Sequence, residues 1–221
     1  MPPQSNTSTT GSSAEKPPTT LPLGVKPRDI PILPPGMRDE SLRKIHNPIQ
    51  KNWVYFTTYG REANGAYGTS NGTLQPGGVN RIHWHGSYSE TFTALQGSVG
   101  IYSKATGKRK LALGESVTVK PGEPHYFFND GDEEVVFEMK FEPAHEGFEK
   151  SLYVMYGLAR DRKPGLQGVA GSVLDTAVFC GLGDIWPAGV TGAMLIPVLK
   201  GLRWVAKRSG REEKLVKRYW G

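Results

Sequence analysis

Apolar and polar residues alternate in short runs through the middle of the chain, and that period of two predicts strands. The runs are NWVYFTTY (52–59), RIHWH (81–85), ETFTAL (90–95), SVGIY (98–102), KLAL (110–113), SVTVK (116–120), HYFFN (125–129) and EVVFEMKF (134–141). Turn formers separate several of them: ATGK at 105–108, PGEP at 121–124 and NDGD at 129–132. A Gly- and Asn-rich stretch up to Gly78 reads as loop. So many short strands over 51–143 predict an all-β domain, a small antiparallel barrel or jelly roll.

The period changes after Glu142. Phe148, Leu152, Met155 and Leu158 follow one another at helical spacing, and further helices are expected near 171–180 and 188–207. Residues 144–221 therefore read as a helical C-terminal extension. Its uncharged run from Ile185 to Leu199 is 15 residues, interrupted by Pro187 and Pro197. A bilayer span needs about 20, so no transmembrane helix is expected. At the other end, residues 1–20 are mostly Ser, Thr and Pro and read as a disordered tail. Residues 21–50 read as a Pro-rich extended arm, suited to lie across a neighbouring copy in a homodimer.

Composition sharpens this picture in three places. Twenty-eight Gly and 17 Pro argue against a helical bundle, and a single cysteine, Cys180, excludes a disulfide framework or a Cys-rich zinc module. The net charge of +6 is confined to 200–221, where eight basic residues face two acids, so residues 1–199 are neutral. No nucleic-acid-binding module accompanies that charge, and nucleic acid is not an expected partner. A basic end after an apolar segment suits either docking on the body of the protein, the favoured reading, or contact with an anionic membrane face. No basic segment followed by an apolar one opens the chain, and a cytoplasmic location is expected.

The chemistry-bearing residues are concentrated in two segments. Of five histidines, His83 and His85 are separated by one residue, so in a strand they share a face with Arg81. Such a pair is either a coincidence of packing or two ligands to one metal. Glu90 opens the next strand, with Phe92 and Ala94 on its face, and His125 opens a later one with Phe127 and Asn129. Arg81 on the histidine face calls for an anion, either a substrate group or an internal carboxylate, unless the strand end is simply exposed. Phe92, Phe127, Met139 and Phe141 are candidates to line an apolar pocket or to pack the core. No residue reads as an activated nucleophile, and there is no phosphate loop or dinucleotide fingerprint.

The segment GGVNRIHWHGSYSETFTALQG (77–97) resembles the first motif of the cupin superfamily, with Gly77, His83, His85, Glu90 and Gly97 at the family's spacing. GESVTVKPGEPHYFFN (114–129) resembles the second at Gly114, Gly122, His125 and Asn129, and it departs where Lys120 stands in place of a proline that comes one residue later. The resemblance implies a single-domain, metal-binding cupin with a jelly-roll barrel. One divalent ion would be held by His83, His85, Glu90 and His125. Iron(II) is the favoured ion, with manganese, nickel, cobalt and zinc as alternatives. Arg81 and Glu90 are the expected catalytic residues, and Arg81, Phe92, Phe127, Asn129, Met139 and Phe141 the expected substrate pocket.

With no other source of chemistry in the chain, activity is expected to come from the metal. The leading expectation is a non-haem iron oxygenase or oxidase (a dioxygenase) acting on a small organic acid, phenol or diketone. The first alternative is a redox-neutral decarboxylase, isomerase or cyclase, and the second a cupin that binds small molecules or serves as structure without turnover.

Overall fold

A computed structural model describes residues 32–161 and 171–221. The expected disordered tail, and the arm as far as residue 31 with its suggested contact to a second copy, lie outside the described residues. From residue 35 the chain forms a short helix α1 (Pro35–Arg38), a 3-10 turn (Glu40–Arg43) and a strand β1 (Lys44–Asn47). The described part of the stretch read as an extended arm thus folds into helix, turn and strand, and β1 pairs antiparallel with β2 (Asn52–Thr58).

Nine more strands follow. They are β3 (Gly68–Leu74), β4 (His83–His85), β5 (Ser89–Gln96), β6 (Val99–Ser103), β7 (Gly107–Leu111), β8 (Ser116–Val119), β9 (His125–Phe128), β10 (Val135–Glu142) and β11 (Ile185–Pro187). One sheet has the order β1-β2-β3-β10-β5-β8 and the other β11-β4-β9-β6-β7. Inward-facing side chains from both sheets meet in one core, among them Phe56, Phe92, Ile101, Phe137 and Phe141. Four helices come after the strand region: α2 (Glu146–Arg160), α3 (Val173–Gly183), α4 (Gly189–Arg208) and α5 (Arg211–Tyr219).

An all-β jelly-roll barrel is therefore not the fold. Helices hold 35% of the described residues, and the two sheets stay open. Among the described residues no strand pairing joins one sheet to the other. Instead of closing on itself, the strand core is completed by helix: Phe148, Leu152, Met155 and Tyr156 of α2 enter the same cluster as the strand residues. Burying a continuous apolar face is what a sheet requires, and a helix meets that requirement as well as a partner strand does.

Strand β3, GTSNGTL, was expected as loop, yet it lies between β2 and β10 in the middle of its sheet. Its glycines are the reason. Gly68 is the cross-strand partner of Phe141, and Gly72 that of Phe137. A Cβ on Gly72 would come within 2.8 Å of the Phe137 ring, and one on Gly68 would run into the Phe141 ring. Bare backbone here gives the aromatic rings a surface to lie on, so low strand propensity is offset by cross-strand packing.

The helices are tied down by local polar contacts. The imidazole of His145 caps α2, its Nδ1 accepting from the Phe148 N–H at 2.9 Å. Ser172 and Asp175 form a reciprocal capping box on α3, and Asp175 also receives Arg211 through two hydrogen bonds at 2.7 and 2.9 Å. At the end of the chain Trp220 is buried and meets Tyr59 and Tyr153 edge-on. Arg203 pairs with Glu212 and Arg218 with Asp161, so part of the tail's positive charge is spent within the fold. No described helix is long and apolar enough to cross a membrane.

Two outcomes follow from this packing. Gly68→Ala should destabilise the protein by about 1–3 kcal/mol through overpacking, read as a lower midpoint of urea unfolding, and an unchanged midpoint would refute the role given to the bare backbone. The second concerns Glu149, fully buried on α2, where one carboxylate oxygen accepts from the Gly60 N–H at 2.7 Å and the other has no partner. Burial, helped by Glu146, pushes its carboxyl up to about 7 against the hydrogen bond from Gly60. The folded state holds this proton more tightly than the unfolded chain. Stability from the group is thus complete below about pH 4.5 and is lost as pH rises to about 7, some 3 kcal/mol in all. Glu149→Gln should gain on the wild type across that interval in unfolding experiments, with the gap absent at pH 4.

Candidate metal centre

His83 and His85 occupy alternate positions of β4, and His125 opens β9 as the direct cross-strand partner of His83. All three belong to one sheet. Glu90, on β5, comes from the other. The four groups converge across the seam between the sheets, with one donor atom from each lying within 4.8 Å of the rest. The Glu90 Oε2 is 3.1 Å from His85 Nε2 and 2.9 Å from His125 Nε2. His85, Glu90 and His125 are buried, and His83 is half-buried.

The outward nitrogen of each imidazole is engaged. His83 Nδ1 donates to the Arg81 carbonyl at 2.7 Å and His125 Nδ1 to the Glu123 carbonyl at 2.9 Å. His85 Nδ1 lies 2.6 Å from the Tyr88 hydroxyl and 3.2 Å from the Asp184 carbonyl. The Tyr88 hydroxyl in turn donates to the Gly183 carbonyl at 2.8 Å, which leaves its oxygen to accept from His85. With Nδ1 turned outward to an acceptor in all three rings, each Nε2 faces inward, where a neutral ring offers its lone pair to an ion. Donors bound at about 2.1 Å to a common ion sit about 3 Å apart when adjacent, close to the two Glu90 distances. Three imidazoles and a carboxylate thus fit one divalent ion.

Electrostatics agree with that reading. Burial and the two neighbouring imidazoles hold His83 well below the usual histidine range, so it is neutral and ready to donate a lone pair. Burial works against ionisation of Glu90, yet the imidazoles of His85 and His125 outweigh it and hold the carboxyl well below its ordinary value. His125 is pulled down by burial but raised overall by its hydrogen bond to Glu90.

Sequence reasoning did not find the supports from the C-terminal extension. Strand β11 pairs with β4, setting Ile185 opposite His85 and Pro187 opposite His83. Asp184 adopts a left-handed backbone conformation, φ 52°, which lets its carbonyl face His85. Its carboxylate accepts from the Gly86 N–H at 2.8 Å, the Ser87 hydroxyl at 2.7 Å and the Trp186 indole N–H at 2.5 Å. Phe148 of α2 stands edge-on to the His85 ring at 6.0 Å. A signal was available for Tyr88 alone, as an aromatic hydroxyl between two ligands. For Asp184, some 100 positions from His85, local pattern carried none.

The centre opens into a cavity of about 440 Å³. His83, Glu90, Phe127, Met139 and Arg81 line it, together with residues of α2, α3 and α4. Other expected pocket residues lie elsewhere. Phe92 is buried behind the centre between His125 and Phe127, and Phe141 packs against Phe148 and Tyr88. The Asn129 amide fixes a turn by donating to the Leu74 and Glu133 carbonyls. Arg81 precedes β4 and is exposed, so the strand parity that placed it beside the histidines does not apply. It stands at the rim of the cavity, and its carbonyl anchors His83.

Residues 71–140 match the family model described as "Cupin domain". Among curated proteins none matches. Among solved structures, the chain is similar to a sugar phosphate isomerase from a cupin superfamily of Silicibacter pomeroyi DSS-3 (17% identity, 42% of this chain and 60% of that one, TM-score 0.37). It spans less than two thirds of that protein. It is also similar to a predicted oxalate decarboxylase of Thermotoga maritima (18% identity, 42% and 80%, TM-score 0.39) and to the polyketide cyclase RemF of Streptomyces resistomycificus (17% identity, 44% and 73%, TM-score 0.39). The domain match, confined to residues 71–140, and the four-residue cluster it contains together support a cupin-like domain able to hold a metal ion.

His83→Ala and His125→Ala should each lose most bound metal by elemental analysis and lower the melting temperature of metal-loaded protein, since an ion bound only to the native state stabilises it. Full occupancy in both variants would overturn the ligand assignment. Tyr88→Phe keeps every ligand but releases His85, and it should weaken metal binding roughly 10- to 100-fold while still reaching one ion per chain at saturation.

Proposed function

We propose that this protein is a metal-dependent enzyme catalysing a redox-neutral reaction, a decarboxylation, isomerisation or cyclisation, on a small organic substrate that presents an anionic oxygen. One observation carries the reading: a four-donor cluster with its histidine protons locked outward sits in the wall of a deep, mostly apolar cavity. A divalent ion held there supplies Lewis acidity, stabilising negative charge that develops on a substrate oxygen in a medium of low dielectric. Iron, manganese, cobalt, nickel and zinc all suit the donor set.

The oxygenase or dioxygenase expectation is withdrawn. The similar solved structures described above are named for isomerisation, decarboxylation and cyclisation, none of which is an oxidation by dioxygen.

The chain's own residues divide the remaining work. His83 and Glu90 face the cavity and define where the substrate's reacting end lies. Phe127 and Met139 keep water from that end and thereby strengthen every charge interaction there. Arg81 at the rim is placed to meet an anionic substrate as it enters, with a guanidinium suited to a carboxylate.

The test is turnover of β-keto acids and hydroxy acids by metal-reconstituted protein, measured in air and under nitrogen. Equal rates are expected, and a strict requirement for oxygen would overturn the proposal. Arg81→Ala should raise KM roughly 10- to 100-fold, the equivalent of one charge-assisted hydrogen bond, at unchanged metal content. An unchanged KM would remove Arg81 from substrate binding.

A further inference from the structure

The cavity has a second polar end. From Glu90 it runs diagonally over the inner face of its sheet, past Met139 and Phe137 of β10 and Gly72 of β3, to Val54 and Asn52 of β2. In the strand register Glu90 lies in the row of Phe141 and Gly68, whereas Asn52 lies in the row of Leu74 and Val135, six residues further along. The two ends are three strands apart. Between them the lining is hydrocarbon and aromatic. Leu152 and Met155 of α2, Phe179 of α3 and Leu199 of α4 form the opposite wall.

Asn52 is 5% exposed, and its side-chain oxygen is buried with no hydrogen-bond partner. Leaving a buried amide oxygen unpaired is costly, and at a cavity wall a bound hydroxyl or water is the partner such a group calls for. Beside it Tyr156 of α2 is 2% exposed and also lines the cavity. The Asn52 side chain lies close enough to the Tyr156 hydroxyl to oppose part of the rise that burial imposes on it. The unpaired Asn52 oxygen and the phenol hydroxyl set an acceptor and a donor side by side on the cavity wall. Burial raises the Tyr156 hydroxyl further above its ordinary value, so it remains a donor at physiological pH.

A hydroxyl group on a ligand both donates and accepts, and it matches this pair. Resting on the function proposed above for the metal end, the geometry points to a substrate that is an apolar organic anion bearing a hydroxyl remote from its charged group. The charged oxygen lies toward His83 and Glu90, the hydrocarbon body spans the aromatic lining, and the hydroxyl is held by Asn52 and Tyr156. The C-terminal helices thereby become half of the binding site.

The test compares dodecanoate with 12-hydroxydodecanoate as probes, by calorimetry on full-length metal-loaded protein. The hydroxylated probe should bind about two- to tenfold more tightly, as one net hydrogen bond would give. That advantage should vanish in Asn52→Leu and shrink in Tyr156→Phe, with affinity for dodecanoate kept or increased in both. Tyr156→Phe serves alone should Asn52→Leu fail to fold. Binding of neither probe, equal binding of both to the wild type, or an advantage that survives in the folded variants would overturn the inference. The readout is independent of catalysis. A hydroxyl advantage in metal-loaded wild type that turns over none of the acids tested would reject the proposed reaction and retain the hydroxyl subsite.

Discussion

One buried charge governs this structure. Glu90 projects from one sheet into a seam closed by the other, and the groups that meet it are the imidazoles of His83, His85 and His125. A lone carboxylate there would cost several kcal/mol of desolvation. It is tolerated because positive charge, from a proton on His125 or from a divalent ion, faces it at hydrogen-bond distance. The two sheets share no strand pairing, so this polar contact and the aromatic core around it are what register one against the other.

The C-terminal extension belongs to that arrangement. Strand β4 has only three residues, too few to hold two ligands in place by its own ladder. Pairing with β11 on one side and β9 on the other gives it neighbours on both edges. Gly183 then reaches the Tyr88 hydroxyl, and Asp184 reaches both the His85 ring and the turn after it. Ligand orientation and helical packing are consequently one cooperative unit, and the same helices wall the cavity. Metal site, cavity and extension form a single device, with a charge-attracting end and a long apolar body set by different parts of the chain.

Much of this was legible from residue order alone. Strands at 52–58, 89–96 and 135–142, and the helix at 146–160, announce themselves through periods of two and of 3.6, and the four ligands stand in short segments whose spacing is local. What escaped was non-local. Strand β3 reads as loop because its glycines matter only to the Phe137 and Phe141 rings of a strand more than 60 residues away. Strand β11 is three residues long and has no pattern of its own, since its partner defines it.

Strand parity placed Arg81 on the ligand face, but parity holds only inside a strand, and β4 begins two residues later. The expected barrel failed for a related reason. Alternation says that a strand has an apolar face, and it is silent on whether a strand or a helix covers that face. The sequence by itself determined the ligand set and the presence of sheets, because both depend on neighbours in the chain. Tertiary structure decided the open sheets, the supports of His85, and the placing of Asn52 beside Tyr156 on one cavity, because each depends on residues brought together only when apolar surface is buried.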